Sequence, residues 1–223
     1  MPPRRPPALE RPVRQTRARE TSDAIIHAGL ALLRERDFAA VSVAEIAEKA
    51  GVSVGGFYAR FEGKEALLHA LAAEVLTDCS GTLDRALSPP RMARASVEGV
   101  VRAYVRVMIT KFREHRGAIV QVIRHARAGD PLHGLAVRDF NDHVHGRLRA
   151  LLHERRHLIA HQDPDAAVNI GLFLVSAAAR EGVLGDNLRA YPIKVTDAML
   201  IAELTRAYVA YLQPDEKRAR KAP

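Results

Sequence analysis

The chain has 223 residues, of which 48% are hydrophobic, so it can bury a core of ordinary size without disulfide bonds. Its one cysteine, Cys79, excludes an internal disulfide and suits a reducing compartment, and no apolar run reaches the roughly 18 residues of a membrane span. The formal net charge of +8 permits nucleic-acid binding, but residues 1–76 carry 11 Lys or Arg against 10 Asp or Glu. Global charge therefore does not locate a DNA-binding segment.

The N-terminal segment, residues 1–15, is rich in proline and arginine. It is predicted to be a disordered basic arm, because it buries too little apolar surface to order itself. Arg17 and Arg19, where this arm meets the first helix, are the candidates for contacts with phosphates or a minor groove. The alternative is a solvated tail that only aids solubility.

Two short helices are predicted after a first helix over Thr16–Arg36. Ser42 with Glu45 three residues later is a capping-box pattern, Gly51 suits the left-handed position that ends a helix, and Ser53 can cap the next helix. That second helix carries aromatic residues one turn apart, Phe57 and Phe61. Two short helices joined by a tight turn with glycine indicate a helix-turn-helix, whose second helix can enter the DNA major groove.

The segment GVSVGGFYARFEGKEALLHAL resembles the end of the DNA-binding domain of the tetracycline-repressor (TetR) family of bacterial regulators. Its marks are Gly51-Val52-Ser53, the pattern Gly-x-x-Tyr-x-x-Phe from Gly55 through Tyr58 to Phe61, and Lys64-Glu65 at the start of the next helix. The resemblance covers roughly residues 17–76, because the remaining helices of the family diverge widely.

The resemblance implies a set of DNA-contacting residues in the helix-turn-helix. Tyr58 and Lys64 match positions that contact phosphate, so Tyr58→Phe and Lys64→Ala are expected to weaken binding to all sequences. Arg60 stands where many members carry histidine, and Arg60→Ala is expected to relax specificity. The predicted DNA-binding residues are Ser42, Ser53, Val54, Gly55, Gly56, Tyr58, Arg60, Lys64, Arg17 and Arg19.

Six further helices follow, and no strand pattern occurs in the sequence. They are predicted over residues 64–87, 93–113, 118–128, 132–159, 163–184 and 195–212. The expected fold is all-α, with a three-helix DNA-binding domain at 16–76, an effector-binding and dimerisation domain at 77–214, and a charged tail at 215–223. About nine helices result in total.

The last two helices are apolar on more than one face, which requires burial on all sides. In the TetR family the corresponding pair forms a four-helix interface with a second subunit, so the resemblance implies a homodimer. Burial of both helices within one subunit is the alternative. The predicted interface residues are Leu172, Val175, Ala179, Leu204, Tyr208 and Tyr211.

The resemblance also implies a small organic effector bound between the middle helices. Candidate wall and polar residues are Met108, Phe112, Ile123, Arg124, Phe140, His143 and Phe173. A metal-responsive regulator is an alternative, since eight of the ten histidines lie between His115 and His161. Asp139 with His143, or His157 with His161, has the spacing of two ligands on one helix.

An enzyme is the remaining alternative, because His153-Glu154-Arg155-Arg156-His157 matches the His-Glu-x-x-His pattern of zinc proteases. Two arginines between the ligands favour a solvated helix end instead, and no convincing third ligand follows. The sequence therefore predicts no catalytic residue, no bound metal and no cofactor. It predicts a cytoplasmic, nucleoid-associated homodimer that represses transcription from a palindromic operator in double-stranded DNA.

Overall fold

The structure is a computed structural model that describes residues 10–185 and 195–213, with side chains from Thr16 onward. Within these ranges it consists of helices and connecting turns without a β-strand, and the all-α prediction is confirmed. Residues 1–9 of the predicted arm and the predicted charged tail lie outside the described residues. The chain divides into an N-terminal unit ending at Ala72 and a C-terminal unit beginning at Ala73.

Ten α-helices occur in the described residues. They are α1 (Glu10–Leu33), α2 (Val43–Lys49), α3 (Val54–Tyr58), α4 (Lys64–Ala86), α5 (Pro89–Met92), α6 (Val97–Glu114), α7 (Arg116–Arg127), α8 (Pro131–Glu154), α9 (Pro164–Leu184) and α10 (Asp197–Leu212). Single turns of 3-10 helix lie at Phe38–Ala40 and Arg156–Leu158. Helix α4 begins in the N-terminal unit and continues into the C-terminal unit.

The N-terminal unit packs α1 against α2 and the first part of α4. Helix α1 begins at Glu10 and not at Thr16, so residues 10–15 of the predicted disordered arm are helical. Gly29 allows the close approach of α1 to α4, since a Cβ added there would lie 3.2 Å from the Leu71 Cδ2 atom. Apolar side chains at Ile25, Phe57 and Leu67 are fully buried in this unit.

In the C-terminal unit, α6 is the central helix, in contact with α7, α8, α9 and α10. Its residues Val100, Val101 and Ile109 are fully buried. The Tyr104 hydroxyl lies 2.9 Å from the Ser176 hydroxyl on α9, and burial raises the pKa of Tyr104 to about 12. The phenol therefore remains protonated and acts as a buried polar tie between the two helices.

The junction after α8 differs from the sequence-based expectation. The predicted helix over 132–159 ends at Glu154, because Arg155 turns into the protein and is only 8% exposed. Its guanidinium donates hydrogen bonds to the carbonyl oxygens of Ala95 (3.0 Å), Leu151 (2.8 Å) and Met92. Arg155 thus anchors the end of α8 to the segment before α6, where the additional short helix α5 lies.

Helix α9 is long and apolar enough to cross a membrane by length and composition alone. The core helices of soluble proteins pass the same test, and α9 packs here against α6 and α10. Tyr208 of α10 lies so close to α9 that a Cβ added at Gly171 would be 2.1 Å from its ring. The Tyr208 hydroxyl also donates to the Val168 carbonyl at 2.6 Å, which ties the two helices together.

Candidate functional site

The turn between α2 and α3 is built from local signals in the sequence. Ser42 caps α2 through its side chain, and the Glu45 carboxylate accepts a hydrogen bond from the Ser42 amide at 2.7 Å, which completes the capping box. Gly51 has φ of +68°, the left-handed conformation predicted for it. Ser53 then caps α3 by accepting a hydrogen bond from the Gly56 amide at 3.0 Å.

A salt bridge fixes the start of α2 against the end of α1. Arg36 pairs with Glu45 and also donates to the Ala40 carbonyl. The Arg36 hydrogen bond, followed by those from Ser42, lowers the pKa of Glu45 to about 2. Glu45 therefore stays ionised at neutral pH, which keeps the capping box intact and the position of α2 defined.

Helix α3 presents an exposed, nearly flat face. Val54 is 44% exposed, Gly55 is exposed, and Phe57 points the other way into the core. A Cβ added at Gly55 would meet only the Ser53 hydroxyl, at 3.8 Å. No long side chain projects from Val54 or Gly55, so the backbone of this helix can approach a groove closely.

The two residues predicted to contact phosphate, Tyr58 and Lys64, differ in exposure and in their contacts within the protein. Tyr58 is 54% exposed, and its ring packs edge-on against Phe57 with centroids 5.4 Å apart, which leaves the hydroxyl in solvent. Lys64 is half-buried: its ammonium donates to the Phe38 carbonyl at 2.7 Å and lies 4.6 Å above the Phe38 ring. Lys64 therefore has an internal role beside any contact with DNA. The remaining predicted residues, Arg60, Arg17 and Arg19, are exposed.

An apolar cavity of about 330 Å³ lies inside the C-terminal unit. Helices α4, α6, α7, α8 and α9 line it with ten apolar or small residues, Asn141 and two arginines, Arg127 and Arg180, and no acidic residue. The wall residues are Leu76, Cys79, Phe112, Ile119, Val122, Ile123, Ala126, Gly134, Val137 and Phe140. Burial raises the pKa of the Cys79 thiol to about 12, so this residue contributes an uncharged wall. The volume falls in the range typical of small-molecule sites.

The sequence-based ligand residues are only partly brought together. Phe112, Ile123 and Phe140 line the cavity. Arg124 lies at a neighbouring hollow of about 310 Å³. The other three predicted ligand residues, Met108, His143 and Phe173, do not line the cavity. Met108 is buried in the core, His143 contacts Asp84 at 3.0 Å, and Phe173 is 65% exposed on α9. Sequence reasoning missed Arg127, although it follows Ile123 by one helical turn.

The predicted dimer residues also need correction. Leu172, Val175, Ala179 and Tyr208 are buried within one protomer, so they cannot form an outer contact surface. Leu204 and Tyr211 are half-buried beside the groove between α9 and α10. The large apolar residues that α9 and α10 leave exposed are Ile170, Phe173, Leu174 and Met199. Periodicity could not separate the two faces, because α9 is apolar around most of its circumference.

The zinc-protease alternative loses its geometric basis. His153 is the penultimate residue of α8, while His157 lies in the following 3-10 turn, so the pair does not share the helix that a zinc-protease pattern requires. Asp78, Glu114 and His115 do bring ligand atoms within 4.8 Å of one another. However, the Lys111 ammonium already donates to both carboxylates at 2.8 Å. This group is an ion-pair cluster with its own cation.

Known proteins resemble the chain in sequence over the N-terminal part and in fold over most of its length. The family model described as bacterial regulatory proteins of the tetR family matches residues 25–71. This match coincides with the helix-turn-helix and the start of α4. Residues 25–71 therefore carry the DNA-binding domain of the tetR family. The match indicates a DNA-binding segment of the kind found in bacterial transcriptional regulators.

Individual relatives and solved structures share the sequence pattern or the fold. An uncharacterized HTH-type transcriptional regulator of Bacillus subtilis, YerO, is 28% identical over 109 residues, which are 47% of this chain and 35% of that protein. The match thus spans about a third of the curated relative. A structure from Mesorhizobium loti assigned to the TetR family superposes with a TM-score of 0.68 at 19% identity, covering 88% of this chain and 97% of that one. A TetR-family regulator from Streptomyces coelicolor gives 0.64 at 21% identity, covering 86% and 80%.

Lys64 can be tested for a phosphate contact separately from its internal role. Lys64→Met removes the charge while keeping an unbranched side chain. If each Lys64 neutralises one phosphate, the slope of log K against log salt falls by about 0.9 for each DNA-binding unit. The control is Lys49→Met, which removes an exposed charge from the neighbouring helix α2. A weaker affinity with an unchanged slope would mean that Lys64 acts only through Phe38.

Proposed function

We propose that the chain is an effector-responsive repressor that binds a palindromic operator as a homodimer in the cytoplasm. The observation that carries the proposal is the presence in one chain of a helix-turn-helix in one compact unit and an apolar cavity in the other. A protein that only bound DNA would not need a cavity of ligand size in its second unit. The cavity supports control by a small organic molecule, and the Lys111 ion-pair cluster gives no support to control by a metal.

Helix α4 is the element through which an effector would act. It begins at Lys64, directly after the helix-turn-helix, and it contributes Leu76 and Cys79 to the cavity wall. A molecule in the cavity touches this helix and favours one of its positions. The effector shifts the population away from the DNA-competent form only by its differential affinity for the two forms.

A second copy of the chain is the proposed partner of the exposed apolar face on α9 and α10. Ile170, Phe173 and Leu174 lie at helical spacing on one side of α9, and they are 49%, 65% and 53% exposed. Large apolar side chains grouped in this way indicate a protein contact. An isologous dimer would cover the same face on both copies and present two copies of α3, one for each half-site of a palindrome.

Selection of bound sequences from a random DNA pool tests the operator-binding part of the proposal. The protein is first unfolded, dialysed and refolded, so that no carried-over effector remains. We expect an inverted repeat whose half-sites are one helical turn apart. Recovery of sequences without an inverted repeat, at a salt concentration where binding is retained, would contradict a dimeric operator reader.

A further inference from the structure

We propose that the cavity takes an amphipathic monoanion, an apolar molecule that carries one carboxylate or a similar acidic group. This inference rests on the proposed function, since it names the chemical class of the effector. Its basis is the charge of the lining: two arginines, one amide and no carboxylate around an otherwise apolar space. An organic cation would enter a site with two like charges and no counter-charge, which opposes binding.

Arg127 and Arg180 differ from three other arginines of this unit. Arg155 and Arg116 donate to backbone carbonyls, and Arg113 pairs with Asp197. Neither Arg127 nor Arg180 has a hydrogen-bond or ion-pair partner among the described residues. Arg180 is moreover half-buried, so its guanidinium is partly withdrawn from water without a compensating acceptor in the part of the chain that the structure describes. A carboxylate oxygen is the acceptor that a guanidinium binds most strongly.

The position of the two arginines orients the ligand. Ile123, Arg127 and Arg180 border both the cavity and the neighbouring hollow, so the charges lie at the boundary between the two spaces. Glu181 lines the hollow and not the cavity, so the cavity side of the two arginines is free of carboxylates from the described residues. The acidic group is therefore placed at the two guanidinium groups, and the apolar part extends into the cavity toward Phe112 and Phe140.

Matched probes separate the contribution of the charge from that of the apolar part. Hexanoate, octanoate, decanoate and dodecanoate are compared by titration calorimetry with the alcohols and the alkyltrimethylammonium ions of the same chain lengths. At the chain length that binds best, the carboxylate is expected to bind about 10- to 150-fold more tightly than the alcohol, the range for hydrogen bonds to charged groups. The ammonium probe is expected to bind most weakly.

Two variants assign this preference to the residues. Arg127→Gln and Arg180→Gln are each expected to weaken carboxylate binding about tenfold or more and to leave alcohol binding unchanged. Arg94→Gln is the matched control, because this substitution makes the same change in net charge. Arg94 is exposed and does not line the cavity. A loss in the control equal to that in the two variants would show that only long-range charge matters, and would overturn the inference.

Binding of the probes and release of DNA are measured separately. Equal affinity for carboxylate and alcohol, tighter binding of the ammonium probe, or no binding of any carboxylate overturns the anionic ligand class. Release from the selected operator is then followed by fluorescence anisotropy with the same probes. A carboxylate that binds through Arg127 and Arg180 but does not release DNA supports this inference and contradicts the proposed effector response. Release by alcohols alone supports the response and overturns the inference.

Discussion

Replacement of Arg155 by alanine is expected to lower the free energy of unfolding by about 3 kcal/mol. Three backbone carbonyls, those of Ala95, Leu151 and Met92, would lose a charged donor in a region that side chains largely shield from water. Each hydrogen bond to a charged group contributes about 1.5–3 kcal/mol, and the three are not additive because they share one guanidinium. The end of α8 would lose its anchor to the segment before α6.

The adjacent arginine provides the control. Arg156 is exposed and pairs with Asp165 at 3.3 Å on the surface, so Arg156→Ala is expected to change the free energy of unfolding by less than about 0.5 kcal/mol. Urea denaturation followed by circular dichroism measures both variants, at one protein concentration because a dimer gains stability by mass action. Equal midpoints for the two variants would show that the buried guanidinium contributes no more than a surface ion pair.

Replacement of Gly134 by leucine is expected to abolish the effector response while leaving operator binding within about threefold of wild type. Gly134 lies on α8 at the cavity wall, and a Cβ added there would meet no atom within 4 Å. The leucine side chain would occupy space that the ligand needs. The variant should also fold, because leucine in a helix interior is favoured over glycine by up to about 1 kcal/mol.

A second glycine of α8 allows a matched comparison. Gly146 also has no atom within 4 Å of an added Cβ, but it does not line the cavity. Affinity for the best-binding alkyl carboxylate is expected to fall more than about 100-fold in Gly134→Leu and to remain unchanged in Gly146→Leu, by calorimetry. Release from the operator should follow the same pattern. An unchanged affinity in Gly134→Leu would place the ligand outside this cavity.

The helix-turn-helix could be predicted from sequence because each of its signals is local. The capping box at Ser42 and Glu45, the left-handed Gly51 and the cap at Ser53 act within three or four residues, and the structure has all of them. The recognition helix itself is shorter than predicted, since α3 ends at Tyr58 and Phe61 follows in a turn. Phe61 is nonetheless buried, as its spacing from Phe57 indicated.

The C-terminal unit could be predicted in its helix order but not in its faces. Arg155 was expected to lie in solvent because arginine is charged. It is buried because its guanidinium donates to three carbonyl oxygens, two of them distant in sequence and one a helical turn away. Phe173 was expected to line a pocket and Leu172 to form a dimer contact. In the structure Leu172 is buried in the core and Phe173 is exposed on the surface of α9. An all-round apolar helix carries no signal for which side meets its own protomer, so only the tertiary structure decides it.

The most direct test of the account is the ratio of dissociation constants for the selected operator and a scrambled duplex of equal length, measured at about 150 mM salt, where exposed charges are screened beyond about 8 Å. Residues 1–76 have almost balanced charge, so non-specific attraction is weak and sequence reading must supply the affinity. We predict a ratio of at least about 10³ with two protomers on each operator. A ratio below about ten, or one protomer on each duplex, would contradict a dimeric regulator that reads a palindrome.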